Sequence, residues 1–385
     1  MLETLKALGL ALLATAIAAI AGVYAETSVL TLLVLLAEPL LWFALGASAL
    51  YALVEKRWGL AAAALWSLAA LAIALRQPVG AVSPPAFAPD VATALVRNCA
   101  SLAKTPQHPL KVLTWNLGHD SEAAPAIVQS GADLVVLQEV TAEQVQEITA
   151  ALQEQLLVEF SRDRLARYEA RGEEAPPLDP SDPDLVLPSA EGLHMPGLGH
   201  EGLGLVISNG EFSRCGDYDR FPVELPAGGD RRAQGALVFA TFGRPGSERS
   251  YDLVPLLGVD MDRPSGPGEL AAWPERIARS AEAIAGFARA LDTPNLIVAG
   301  DTNTHGTFRS LPRTLKGAGL ISAPPRASWP ASLHGVPTLP LYQLDRVWYG
   351  DGWMARDVRT LRGNGDHLGV LVTLDPSPRA TAALR

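Results

Sequence analysis

Cysteine is scarce in this chain and net positive charge is absent. The two cysteines, Cys99 and Cys215, form no Cys–His pattern of zinc-site spacing, and one pair defines no disulfide framework, although an oxidising compartment would permit a bridge. Also missing are a phosphate-cradling P-loop, a dinucleotide-binding glycine turn leading into a helix, and a serine nucleophile elbow. The short GLGL and GVD runs meet none of these patterns. Thiolate–zinc chemistry, P-loop nucleotide hydrolysis and nicotinamide redox chemistry are thereby set aside.

The net charge of −10 is unevenly placed. Residues 1–76 hold four basic side chains (Lys6, Lys56, Arg57, Arg76) and four acidic ones (Glu3, Glu26, Glu38, Glu55), so the rest of the chain carries the whole excess. Phosphate neutralisation dominates nucleic-acid affinity, so an acidic domain weighs against nucleic acid as the main substrate without excluding it.

Charge is rare in residues 1–76 because three apolar runs fill them, at 5–25, 29–54 and 58–75. Each is about long enough to cross a hydrocarbon core of roughly 30 Å as a helix, which predicts an all-α transmembrane anchor of about three helices and the lipid bilayer as a partner. The third run is alanine-rich and near the short limit, so a hairpin plus an interfacial helix is the alternative. Lys6 and the Lys56–Arg57 pair fall on one side of such a bundle. Cytoplasmic loops collect Lys and Arg, so the remainder is expected outside the cytoplasm, with Arg76 opposing this sense.

Residues 77–109 are proline-rich and read as a linker, with helical spacing over 90–103. From 110 to 375 short Val/Ile/Leu-rich runs alternate with helical stretches at 122–129, 142–157, 269–291 and 307–317, the pattern of layered α/β packing. Residues 161–201 interrupt this rhythm with charge, proline and glycine. They are expected to form a long insertion loop near the site, with His194 and His200 on it.

Four apolar runs end in, or begin with, a carboxylate, amide or histidine. LTWN ends in Asn116, DLVVLQEV holds Glu139, IVAGDTN ends in Asp301 and Asn303, and GDHLGVLVTL opens with Asp366 and His367. Polar residues emerging where buried strands leave the core are where sites are built, and oxygen ligands beside one imidazole suit a hard divalent cation next to a phosphate.

The order WN, LQEV, GDTN, LDRVWY, GDH resembles the endonuclease/exonuclease/phosphatase superfamily over about residues 110–374. The resemblance implies an α/β fold, a four-layer α-β-β-α sandwich of two similar halves, with GLGLVISNG opening the second sheet. It implies hydrolysis of a phosphoester with Mg²⁺ or Mn²⁺. Glu139 matches the principal metal ligand, and Asn116 helps orient the metal or donates to phosphate. Asp301 matches the aspartate that aligns or deprotonates water, and Asn303 contacts phosphate. Asp366 matches a second metal-proximal carboxylate that also orients His367, itself a phosphate ligand or proton-transfer partner. Asp345 matches an aspartate that is structural or holds a catalytic histidine.

One position departs from the pattern. The strand before the long helix reads LLGVDMDRP, with Asp260 where the family often has histidine. An aspartate there donates only if its pKa is raised; alternatively Asp262 and Arg263 supply the function, Arg263 as a phosphate clamp. Three functions are compatible with these residues. They are a membrane-anchored phosphodiesterase or phosphatase acting on a lipid headgroup or soluble phosphoester, a nuclease, and a non-catalytic scaffold on the same fold.

Overall fold

The computed structural model describes Cys99 and residues 108–378, apart from 119, 121, 178–186, 198–201, 214, 216–219, 226–232, 243–251, 264–268, 270–271, 305–307 and 334–335. The three apolar runs and most of the 77–109 linker lie outside the described residues. Among the described residues no helix is long and apolar enough to cross a membrane.

The first sheet begins with β1 (Leu110–Asn116), crosses through helix α1 (Ala124–Ser130) to the parallel strand β2 (Leu134–Val140), and continues through α2 (Ala142–Glu169) to the hairpin β3 (Ala190–Pro196) and β4 (Gly202–Ser208). Strands β14 (Trp353–Leu361) and β15 (Gly369–Pro376) complete it in the order β14-β15-β1-β2-β4-β3.

The second sheet is built from β5 (Gly210–Ser213), β6 (Phe221–Leu225), β7 (Ala233–Phe242), β8 (Asp252–Asp260), β9 (Ile297–Asp301), β10 (Ile321–Ser322) and β13 (Asp345–Tyr349). Helix α3 (Trp273–Leu291) makes the crossover from β8 to the parallel β9, and α4 (Ser310–Gly317) follows β9. A small hairpin, β11 (Ser332–Leu333) with β12 (Val336–Pro337), precedes β13.

Strand alternation explains the layering. Val112, Leu134 and Val136 point into a core shared with Val238, Leu256, Ile297 and Ala299 of the facing sheet. Their neighbours Leu113, Val135 and Leu137 point the other way, onto Ile127 of α1 and Val145 and Ile148 of α2. In the second sheet Leu257, Val259 and Val298 pack outward against Ile277, Ala281 and Ile284 of α3 and Leu311 and Leu315 of α4. The result is four layers, α-β-β-α. Sheet contact is close at Gly258, where an added Cβ would stand 2.7 Å from Leu205 Cδ2. Cys99 is disulfide-bonded to Cys215, which is buried in the core under α3.

Two expectations are corrected. GLGLVISNG opens no second sheet: it is β4, paired antiparallel with β2 in the first sheet. Residues 161–201 are not one long loop either. Helix α2 runs on to Glu169, and β3 pairs along β4, His194 opposite Gly204. The extension holds because no glycine or proline interrupts 158–169, and polar contacts replace core packing. Gln155 donates to Glu159 at 2.7 Å, and the Arg164 and Arg171 guanidinium groups sit 5.4 and 4.6 Å from the Tyr168 ring centre. Its start is fixed by a reciprocal cap between Thr141 and Gln144.

Candidate active site

At one end of the sandwich three aspartates stand side by side on adjacent strands. Asp260 of β8 is in register with Asp301 of β9, and Asp301 is in register with Asp345 of β13. Alternation from Leu256, Ile297 and Val347 points all three toward the facing sheet. Asp301 and Asp345 are fully buried and Asp260 partly so. Gly300 makes this row buildable: its φ is +155°, and a Cβ there would lie 1.8 Å from Val259 O.

The facing sheet supplies Asn116 and Glu139. Asn116 follows the inward phase of Val112 and Thr114 in β1, and its Nδ2 donates to Glu139 Oε1 at 3.2 Å and Asp301 Oδ2 at 3.0 Å. Strict alternation would send Glu139 outward, because Gln138 takes the inward place beside Thr114. Instead Glu139 adopts φ 53°, within an irregularity of the β2–β4 pairing between Leu137 and Val140, and this turns its carboxylate back to the site. A positive φ on a glutamate is strained, and such strain collects at functional positions.

Beyond β9, Asn303 has φ 47°, its N–H donates to Asp301 Oδ1 at 2.7 Å, and its Nδ2 donates to Met261 O at 2.6 Å. It therefore ties the exit of β9 to that of β8. Arg346, buried, donates to Thr304 O at 3.1 Å and holds the same turn from behind. Burial pulls its pKa down to about 10, with Asp301 acting oppositely.

His367 is buried, and its Nδ1 donates to Asp345 Oδ2 at 2.8 Å. Trp115 Nε1 holds the His367 carbonyl at 3.2 Å, and Ser328 Oγ accepts the Asp345 N–H at 3.2 Å. Burial alone would lower the imidazole pKa; the charge and hydrogen bond of Asp345, then the charges of Asp301 and Asp366, outweigh it and push the value up to about 9. Asp301 is raised to about 6 by burial and then by Asp345, with His367, Asn116 and Asn303 opposing. Asp260 is raised well above the ordinary carboxyl range by burial, then by Asp301 and Glu139.

Asp366 is placed differently from expectation. It does not orient His367; Asp345 does. Asp366 is exposed, and one of its oxygens accepts from Trp329 Nε1 at 3.1 Å. Its other oxygen borders a small space beside Gly118, where an added Cβ would stand 3.3 Å from Asp366 Oδ1 and 3.6 Å from Asn116 Oδ1. Arg263 Nη2 lies 3.2 Å from Glu139 Oε1. Asp262 turns away to Arg276 of α3, Nε to Oδ2 at 2.5 Å, and so anchors the helix and takes no part in the site.

Two groupings are candidates for a cation. Asp301, Asp345 and His367 each offer one ligand atom, all within 4.8 Å of one another. That trio is closed by the Asp345–His367 hydrogen bond, and an imidazolium has no lone pair for a metal. The second grouping fits better. Asn116 Oδ1 is buried with no hydrogen-bond partner, beside the carboxylates of Glu139 and Asp366, a set of hard oxygens suited to Mg²⁺ or Mn²⁺.

Residues 113–377 match the sequence model of the Endonuclease/Exonuclease/phosphatase family. The chain belongs to that family. Among curated proteins no sequence match is found. Similar solved structures include an endonuclease/exonuclease/phosphatase from Beutenbergia cavernae, at 18% identity and TM-score 0.46, covering 70% of this chain and 72% of that one. A mannosyl-6-phosphatase of Bacteroides thetaiotaomicron is 12% identical with TM-score 0.44, covering 69% and 99%. ANGEL2, a 2',3'-cyclic phosphatase, is 13% identical with TM-score 0.42, covering 69% and 95%. The endonuclease/exonuclease/phosphatase family generally uses divalent metals.

Sequence reasoning missed Ser328, Trp329 and Arg346. Ser328 and Trp329 sit in an irregular segment with no periodicity to mark them, and Arg346 reads as an ordinary strand residue. Trp115 stood in view beside Asn116, with no sign that its indole would reach 252 residues along the chain. His194 is bonded to Val140 O at 3.0 Å, and His200 lies outside the described residues.

Proposed function

We infer that this protein is a divalent-metal-dependent phosphoesterase, held at a membrane by residues 1–76 with its catalytic domain outside the cytoplasm. It hydrolyses a phosphodiester or phosphomonoester, a lipid headgroup or a soluble phosphoester. The observation that carries this reading is the convergence of Asn116 and Glu139 from one sheet with Asp301, Asp345 and Asp260 from the other, beside a charged His367.

Glu139, Asn116 and Asp366 would hold Mg²⁺ or Mn²⁺, which when bound neutralises charge on phosphate oxygens. Asp301, ionised above about pH 6, orients water and takes its proton. The His367 imidazolium, fixed by Asp345, donates to a phosphate oxygen. Asp260, whose pKa burial and then the charges of Asp301 and Glu139 hold well above the ordinary carboxyl range, is the acid that serves the leaving oxygen, the task that histidine performs at this position in many relatives. Arg263, half exposed at the rim, swings from Glu139 to the phosphate. The net charge of −10 argues against a nuclease, and the completeness of this set argues against a scaffold.

A panel of phospholipids, soluble phosphoesters and nucleic acids, given to the full chain in detergent, tests the activity. Mg²⁺-dependent turnover is expected on phosphoesters and little on nucleic acid. Turnover on none would overturn the reading. Reporter fusions after Arg76 and after Arg385 test the topology, both being expected active only outside the cytoplasm.

A further inference from the structure

Among the described residues, large apolar side chains left exposed are few and mostly scattered: Val158 and Leu165 on α2, and Ile321 and Met354 at the opposite end of the sheets from Asp301. Leu339, 80% exposed, and Leu341, 44% exposed, break this pattern by standing together. Over Pro337, Thr338, Leu339, Pro340 and Leu341 exposure alternates, so Pro337, Leu339 and Leu341 face outward from one extended strip.

This strip is fastened to the active site. Leu341 and Tyr342 donate their N–H groups to Trp329 O at 2.9 and 2.8 Å, Thr338 N donates to Ala331 O at 2.8 Å, and Ala331 N donates to Asp366 O at 2.6 Å. Trp329 packs at a tilt against Tyr342 with ring centres 5.9 Å apart, and the same indole holds Asp366, the neighbour of His367. A flexible tip would hide its leucines against the protein; this one is braced outward.

Single exposed leucines are ordinary, but three apolar residues in phase on a braced rim of a catalytic site need an occupant. Three side chains are far too few for a stable protein partner, which buries about 800 Å² per side. A bilayer demands no shape complementarity and takes such residues singly. The anchor proposed above for residues 1–76 would bring one close. Cys99 is bonded into the fold through Cys215, and only 22 residues lie between it and Arg76 at the end of the apolar runs, a tether of at most about 80 Å fully extended.

We propose that Pro337, Leu339 and Leu341 are a membrane-contacting rim of the active site, seated among the acyl chains of the facing leaflet, and that the substrate is the phosphoester of a bilayer lipid headgroup. The substrate half of this statement rests on the phosphoesterase reading above, and the contact draws on the membrane anchor proposed with it. With the strip in the leaflet, the side of the site that it borders through Trp329 and Asp366 would face the headgroup layer.

The test uses the full chain in vesicles of equal parts phosphatidylcholine and phosphatidylglycerol. A polarity-sensitive fluorophore is placed at Leu339→Cys, with Val158→Cys as the reference. The label at 339 is expected to shift to the blue and to be quenched by brominated acyl chains, and the label at 158 to do neither. A water-like signal at 339, or a blue shift without quenching, as burial against protein would give, overturns the contact. Leu339→Ser with Leu341→Ser is expected to lower the ratio of long-chain to short-chain phosphoester turnover at least about tenfold; an unchanged ratio overturns the substrate assignment. If the unmutated chain hydrolyses neither substrate, the phosphoesterase reading fails and the lipid-substrate half with it, while the label still decides the contact.

Discussion

Asp345 Oδ2 accepts the Nδ1 hydrogen of His367 at 2.8 Å, with both side chains buried, and this pair sets the orientation and charge of the histidine. Asp345 also accepts the Asn116 N–H at 3.3 Å through Oδ1, so one carboxylate braces both sheets. Asp345→Asn keeps the shape and removes the charge. The pH–rate profile is expected to lose its alkaline limb near 9 and fall instead toward the ordinary imidazole range of about 6.5.

The same pair contributes to stability with a definite sign. The folded pKa of His367 is raised, so its contribution is fully present below the unfolded value near 6.5 and is lost as pH rises through about 9. Thermal midpoints measured at intervals between about pH 6 and 10 should therefore fall more steeply in the wild type than in His367→Gln.

Asp301 is expected to limit activity on the acid side. It must be ionised to take a proton from water, so the rate should drop as pH falls through about 6. Asp301→Asn should cost on the order of 10²–10⁴ in rate, the range for a positioned general base. An unchanged acid limb in a residually active Asp301→Asn would assign that limb to another group.

Asp260 is tested by leaving-group dependence. Asp260→Asn preserves shape and removes the proton, so a poor alkoxide leaving group should slow by about 10²-fold or more while an activated aryl phosphoester is little changed. Asp260→His should restore the slow substrate. Equal losses on both substrates would mean that Asp260 positions its neighbours and does not donate.

On the proposed reading, Arg263 and a cation would compete for Glu139. Arg263→Gln removes the guanidinium 3.2 Å from Glu139 Oε1, so less Mg²⁺ should be needed for half-maximal rate while KM for substrate rises. A parallel rise in both would place Arg263 in the frame of the site.

How much of this was legible in the sequence follows from periodicity. The apolar strands gave the layers, and the inward phase of Val112 to Asn116 and of Ile297 to Asp301 brought their polar ends to one place. Asp345 was marked by the resemblance alone, as an aspartate that is structural or holds a catalytic histidine. Three features were not legible. Glu139 reaches the site only through a positive φ that alternation does not predict. The extension of α2 through 158–169 was masked by its charge, which reads as loop although nothing there breaks a helix. The resemblance gave Asp366 the task of orienting His367, whereas the carboxylate bonded to His367 Nδ1 is Asp345, 22 positions upstream.

Glu139→Gln, assayed for turnover against Mg²⁺ concentration with the thermal midpoint read alongside, tests the central claim most directly. The substitution keeps the bond from Asn116 Nδ2 to a side-chain oxygen within reach and removes the charge that a cation needs. The account predicts a midpoint close to wild type and turnover that is lost, or recovered only in part at high Mg²⁺. Turnover within a few-fold of wild type at low Mg²⁺ would contradict it.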